Sequence, residues 1–100
     1  IEAAQRELLE EAGFATAVLK HAGRFVSSAG LTDEAVDFYL AENVQRETDG
    51  GGVGNERITV HTVLLPQVHA WLADRMRLGV QVDSKVLTGV SLLEAHSHEE

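Results

Sequence analysis

Arg6-Glu7-Leu8-Leu9-Glu10-Glu11-Ala12-Gly13-Phe14 is the stretch from which the fold is read. Ala4, Leu8 and Ala12 recur at i, i+4 and i+8, with Leu9 beside them, which is the apolar stripe of a helix. Gly13 stands where a helix is commonly closed by a left-handed residue. On that helix Glu7 and Glu11 are one turn apart, and Glu10 lies one turn from Glu7 along the adjacent ridge. Three like charges on one face repel by a few tenths of a kcal/mol per pair. They also crowd the helix C-terminus, where the macrodipole disfavours anions. A hard divalent cation reverses both signs, because Mg²⁺ takes carboxylate oxygens and keeps waters for a phosphate. Arg6 is placed to pin a neighbouring carboxylate through a forked ion pair. The same run also serves as the solvated face of an ordinary helix, and spacing alone does not separate the two.

Outward from this helix the chain punctuates itself. No Ser, Thr, Asp or Asn precedes the helix as a cap, so it has a stop without a start, and the chain is expected to be part of a longer protein. Phe14–Val26 reads mostly as strand. Ser27-Ser28-Ala29-Gly30 is loop chemistry. Ala35–Ala41 is the clearest strand, with Val36, Phe38 and Leu40 alternating against Asp37 and Tyr39. A polar connection follows over Asn43–Asn55, holding Gly50, Gly51, Gly52 and Gly54, and its length marks a candidate functional loop. Arg57–Leu65 alternates again through Ile58, Val60, Thr62 and Leu64 and predicts another strand. Pro66 suits the first turn of a helix to about Leu78, which Gly79 stops. Asp83-Ser84 can cap a last helix through Lys85, Val86, Val90, Leu93 and Glu94, with a frayed tail from His96. The order helix, strands, helix, helix predicts a mixed α/β layer fold in one domain.

Composition narrows the function. The 100 residues hold 8 Lys+Arg against 16 Asp+Glu, a net charge of −8. That excess of acid argues against binding a phosphate backbone as the main task. Any chemistry on phosphates then needs cations to bridge the repulsion. There is no Cys, which removes disulfides, thiolate metal sites and a cysteine nucleophile, and suits a reducing compartment. No apolar run is long enough to span a membrane. Gly50–Gly54 is neither a dinucleotide fingerprint nor a P-loop, and it leads into a strand pattern rather than a helix.

Arg6-Glu7-Leu8-x-Glu10-Glu11-x-Gly13-Phe14 resembles the C-terminal half of the Nudix box, G-x5-E-x7-R-E-U-x-E-E-x-G-U, in which U is a bulky apolar residue. Every specified position from the Arg onward is present, and the box's Gly and first Glu would fall before Ile1. Three further segments follow in order. Ser28-Ala29-Gly30-Leu31-Thr32-Asp33-Glu34 resembles the "SPG…E" loop of the ADP-ribose and nucleotide-sugar pyrophosphatase branch, with Ala29 in place of Pro. The run from Gly50 through Glu56-Arg57-Ile58-Thr59-Val60 is similar to the Gly-rich loop and "E-x-I-x-V" strand of GDP-mannose pyrophosphatases. Asp83-Ser84-Lys85 is similar to their "D-G-K", with Ser84 for Gly.

The resemblance implies the C-terminal portion, residues 1–100, of a single Nudix domain, an α/β/α sandwich with a mixed sheet. It implies hydrolysis of the pyrophosphate of a nucleoside diphosphate sugar, such as ADP-ribose or GDP-mannose, with Mg²⁺ or Mn²⁺ as cofactor. Glu7 and Glu11 would be metal ligands, and Glu10 an auxiliary ligand or catalytic supporter. Glu56 would complete the metal site and activate water, its glycines giving the loop freedom to close over substrate. Glu34 and Lys85 would contact substrate, and Arg6 would support the site. Members of this branch are commonly cytoplasmic homodimers. Two other classes stay open: a Nudix-fold domain that binds such ligands without cleaving them, and an acidic interaction module.

Overall fold

A computed structural model describes residues 1–26 and 34–99. Most of the resembling segment at 28–34 therefore lies outside the described residues. The architecture is mixed α/β, with three helices and two two-stranded antiparallel sheets. The chain divides into two compact units, Ile1–Val60 and His61–Glu100.

In the first unit, α1 spans Glu2–Glu7 and continues as a π-helical turn over Leu8–Ala12. No side chain caps its start. The Ile1 carbonyl instead accepts from the Gln5 N–H at 2.9 Å. The turn ends at Gly13, whose φ of 82° is left-handed and whose N–H is shared between the carbonyls of Leu8 and Leu9. β1 (Phe14–Ala15) pairs with β4 (Gln45–Arg46), and β2 (Val18–Val26) pairs with β3 (Ala35–Glu42). Between β1 and β2, Thr16 Oγ1 donates to the Glu42 carbonyl at 2.6 Å and accepts from the Val18 N–H, while Gln5 Nε2 of α1 reaches the Thr16 carbonyl.

The β2–β3 register slips between His21 and Gly23, a bulge that leaves Ala22 without an opposite residue. Past it, Gly23 faces Phe38 and Arg24 faces Asp37. One face then carries Phe25 edge-on to Phe38, with ring centroids 5.4 Å apart. The other gathers Asp37 with the His21 imidazole at 2.9 Å and Arg24 at 4.0 Å. The His21 hydrogen bond, helped by the Arg24 charge, holds the Asp37 carboxyl below its ordinary range. The strands expected at Phe14–Val26 and Ala35–Ala41 are thus present.

The strand expected over Arg57–Leu65 is not. Residues 56–64 join no ladder, and the Ile58 N–H goes to the Gly51 carbonyl at 3.2 Å. Alternation states which side chains share a face, whereas a strand also needs a neighbour to accept its N–H groups.

In the second unit a 3₁₀ turn, Leu65–Gln67, carries Pro66 into α2 (Val68–Arg77), and Gly79 follows at a φ of 87°. α3 spans Ser84–Glu99. Asp83 caps it, Oδ1 accepting the Lys85 N–H at 2.8 Å. The tail expected to fray from His96 is assigned to α3 as far as Glu99. α2 and α3 are joined by His69 Nε2 and Glu94 Oε1 at 3.1 Å. Leu72 and Val90, 4% and 7% exposed, are the buried hydrophobic side chains among the described residues.

The first unit depends on backbones that nearly touch. A Cβ on Gly13 would lie 2.8 Å from the Gly50 nitrogen, and one on Gly50 would lie 2.6 Å from the Glu11 carbonyl oxygen, both at positive φ. Gly54 has a φ of +63° with open space around it. Urea unfolding of single alanine variants should therefore rank them. Gly13→Ala and Gly50→Ala should each cost about 3 kcal/mol, from strain plus overpacking. Gly54→Ala should cost only about 1 kcal/mol, from the left-handed backbone alone. Equal losses at the three positions would contradict the close approach.

Candidate functional site

The Gly-rich loop is strapped onto the end of the carboxylate helix. Past the β1–β4 pair, the Glu47 and Thr48 N–H groups donate to the Gly13 carbonyl at 2.8 and 3.1 Å. The Gly50 N–H turns to Thr48 Oγ1. Next, the Gly51 N–H donates to the Glu11 carbonyl at 2.8 Å and the Gly52 N–H to the Glu10 carbonyl at 2.9 Å. The last carbonyls of a helix have no partner within it, and here the loop supplies their donors. Glycine is needed because each N–H must approach the helix backbone at positive φ. The glycines expected to give the loop freedom also tie it down: Gly51 and Gly52 bond it to the helix.

Four residues on, Glu56 closes a small turn. Its Oε1 accepts the Val53 N–H at 2.9 Å, and its own N–H donates to the Val53 carbonyl at 3.1 Å. A Cβ on Gly52 would lie 2.5 Å from the Glu56 Cβ, so Gly52 makes room for that side chain. One oxygen of Glu56 is thereby fixed, and the side chain as a whole remains exposed. Glu56, Arg57, Asn55 and Gly54 line one shallow, open depression. Arg57, which the sequence reading assigned only to a strand, lines the same depression.

Glu7 and Glu11 are exposed and Glu10 is half-buried. The π turn changes one expectation. With i→i+5 closure the ring is wider than in an α-helix, so Glu10 and Glu11 do not keep the α spacing from Glu7 on which the sequence argument rests. Among the described residues, no group of three His, Asp or Glu side chains could hold a metal ion as they stand. The four glutamates fit Mg²⁺ or Mn²⁺ in donor chemistry, being hard carboxylates on two segments bonded together. They are not preassembled around it. Arg6, exposed on α1, makes no ion pair among the described residues, contrary to the expected fork. A long exposed side chain gains too little in high dielectric to offset its lost rotamer freedom.

Glu34, exposed, immediately precedes β3. Lys85 belongs to the second unit. Its ammonium lies 2.8 Å from Asp83 Oδ2, an ion pair within the cap of α3, which offsets the unfavourable position of a cation at a helix start. Compared with protein-family models, curated proteins and solved structures, the chain matches none.

Lys85, through its ammonium and its backbone N–H, holds the Asp83 carboxyl below the ordinary carboxylate range. A depressed carboxyl contributes stability that is present above its unfolded titration and lost as pH falls through its folded one. Helicity followed by circular dichroism from pH 7 to 2 should fall at the acid end in the unaltered protein. Asp83→Ala should start lower at pH 7 and show less of that acid loss. Parallel curves would remove Asp83 from the cap.

Proposed function

We propose that the chain carries the cation-binding helix and catalytic loop of a Nudix-type hydrolase that splits the pyrophosphate of a nucleoside diphosphate sugar. One observation supports it above the others. The segment bearing Glu56 is bonded through Gly51 and Gly52 to the carbonyls of Glu11 and Glu10. Residues some forty positions apart, paired by the resemblance alone, are thereby carried on one backbone-bonded element. The fold class agrees at the level of mixed α/β. The α/β/α sandwich, the homodimer and the cytoplasmic setting are parts of the proposal.

In this reading Glu7, Glu11 and Glu56 would hold Mg²⁺ or Mn²⁺, with Glu10 assisting. The ion, when bound, neutralises the pyrophosphate and polarises the phosphorus under attack. The chain's own residues do the rest. The Val53 N–H fixes one Glu56 oxygen, and the other accepts a proton from the attacking water. Arg57, in the same depression, offers a cation to the leaving phosphate. Glu34 would contact the sugar or the terminal phosphate. Water adds to one phosphorus, and the bridging oxygen leaves with the other, yielding a nucleoside monophosphate and a sugar phosphate.

The carboxylates' lack of preassembly favours a second reading, a domain that binds such ligands without cleaving them. Both are tested on the full-length protein with ADP-ribose and GDP-mannose. Calorimetry should register Mg²⁺ or Mn²⁺ uptake that falls in Glu7→Gln and Glu11→Gln. Turnover should drop by at least about tenfold in Glu56→Gln with the circular dichroism spectrum unchanged. Ligand binding without turnover would establish the second reading, no metal uptake with or without nucleotide would defeat the first, and no ligand binding either would defeat both.

A further inference from the structure

The second unit holds a cavity of about 330 Å³ that the proposed hydrolase does not use. Its size lies at the small end of pockets for organic ligands. Trp71 and His61 form one wall, with ring centroids 5.1 Å apart and planes tilted by 53°. Val80 and Val86 also line the cavity, and they are 49% and 43% exposed. Apolar walls at that exposure gain by being covered, and they suit a hydrocarbon ring better than a sugar.

Arg75 lines this cavity together with the polar side chains of His61, Gln81 and Asp83. Its guanidinium lies over the Trp71 ring, 5.5 Å from the centroid. Its Nε is buried and has no hydrogen-bond acceptor among the described residues. A buried donor without an acceptor is costly, and a guanidinium is always charged. The two terminal nitrogens of the guanidinium offer a fork that matches a carboxylate, two parallel bonds to two oxygens, whereas the buried Nε is out of a ligand's reach. The acid at the rim, Asp83, already faces the Lys85 ammonium at 2.8 Å. Its remaining field opposes a doubly charged phosphate more than a single carboxylate.

We propose that this cavity is a binding site for a small aromatic monocarboxylate, with its ring between Trp71 and Val86 and its carboxylate on Arg75. The site lies wholly within the second unit and is independent of the carboxylate helix. Trp71 is the chain's one tryptophan, so its emission reports the cavity directly.

The unaltered protein is titrated with phenylacetate, with phenylacetamide, which lacks the charge, and with cyclohexylacetate, which lacks the aromatic ring. Phenylacetate should change Trp71 emission saturably, with a Kd on the order of 0.1–1 mM for so small a ligand. Each of the other two should bind at least about tenfold more weakly. Arg75→Lys keeps the charge and loses the fork, and should weaken phenylacetate by about tenfold or more. Val86→Phe fills the cavity and should abolish the response while the circular dichroism spectrum is retained. No saturable change with phenylacetate, or an equal one with phenylacetamide, would overturn the assignment. So would undiminished binding in Val86→Phe.

Discussion

The join of the carboxylate helix to the glycine loop depends on the approach of two backbones, at Gly13 and Gly50. Neither position tolerates a Cβ without moving a main-chain atom. Because they are bare, the strand pair β1–β4 can extend as a strap along the end of the carboxylate helix. The carbonyls of Glu10, Glu11 and Gly13 then receive donors from the loop rather than from water. Each such bond contributes only about 0.5–1.5 kcal/mol net, but a buried carbonyl left without one costs more. The approach therefore acts as a geometric requirement more than as a source of stability.

This requirement changes how the glutamates are to be understood. The reading from sequence placed three of them on one α-helical face and a fourth on a mobile loop. The fold instead widens the helix into a π turn at Leu8–Ala12 and ties the loop down. Glu56 is oriented by the Val53 N–H three residues earlier. The carboxylates share one backbone-bonded element without converging on a point. Any cation that gathers them must do so by turning side chains, since the loop backbone is already committed to the helix.

The second unit is organised differently. It buries Leu72 and Val90, and its helices are joined by the exposed pair His69–Glu94. Around that small centre stand apolar side chains in contact with solvent, Leu78 at 72% exposure among them. Trp71 illustrates the point: it lies on α2, lines the cavity with His61 and carries Arg75 on its ring.

Much of this was legible in the chain itself. The helix ending at Gly13, the strand of alternating residues from Ala35, the helix entered through Pro66 and the cap at Asp83 all follow from local chemistry, because caps, turns and periodicity act within a few residues. The mixed α/β class follows from their order. Tertiary structure alone decided the rest. It left Arg57–Leu65 out of any ladder, since alternation cannot name a pairing partner. It bonded the loop to the helix through Gly51 and Gly52, since a bare backbone serves freedom and close approach equally well. It gave Lys85 to Asp83 and left Arg6 unpaired among the described residues, since the fate of a long charged side chain depends on which opposite charge folding brings within about 4 Å of it.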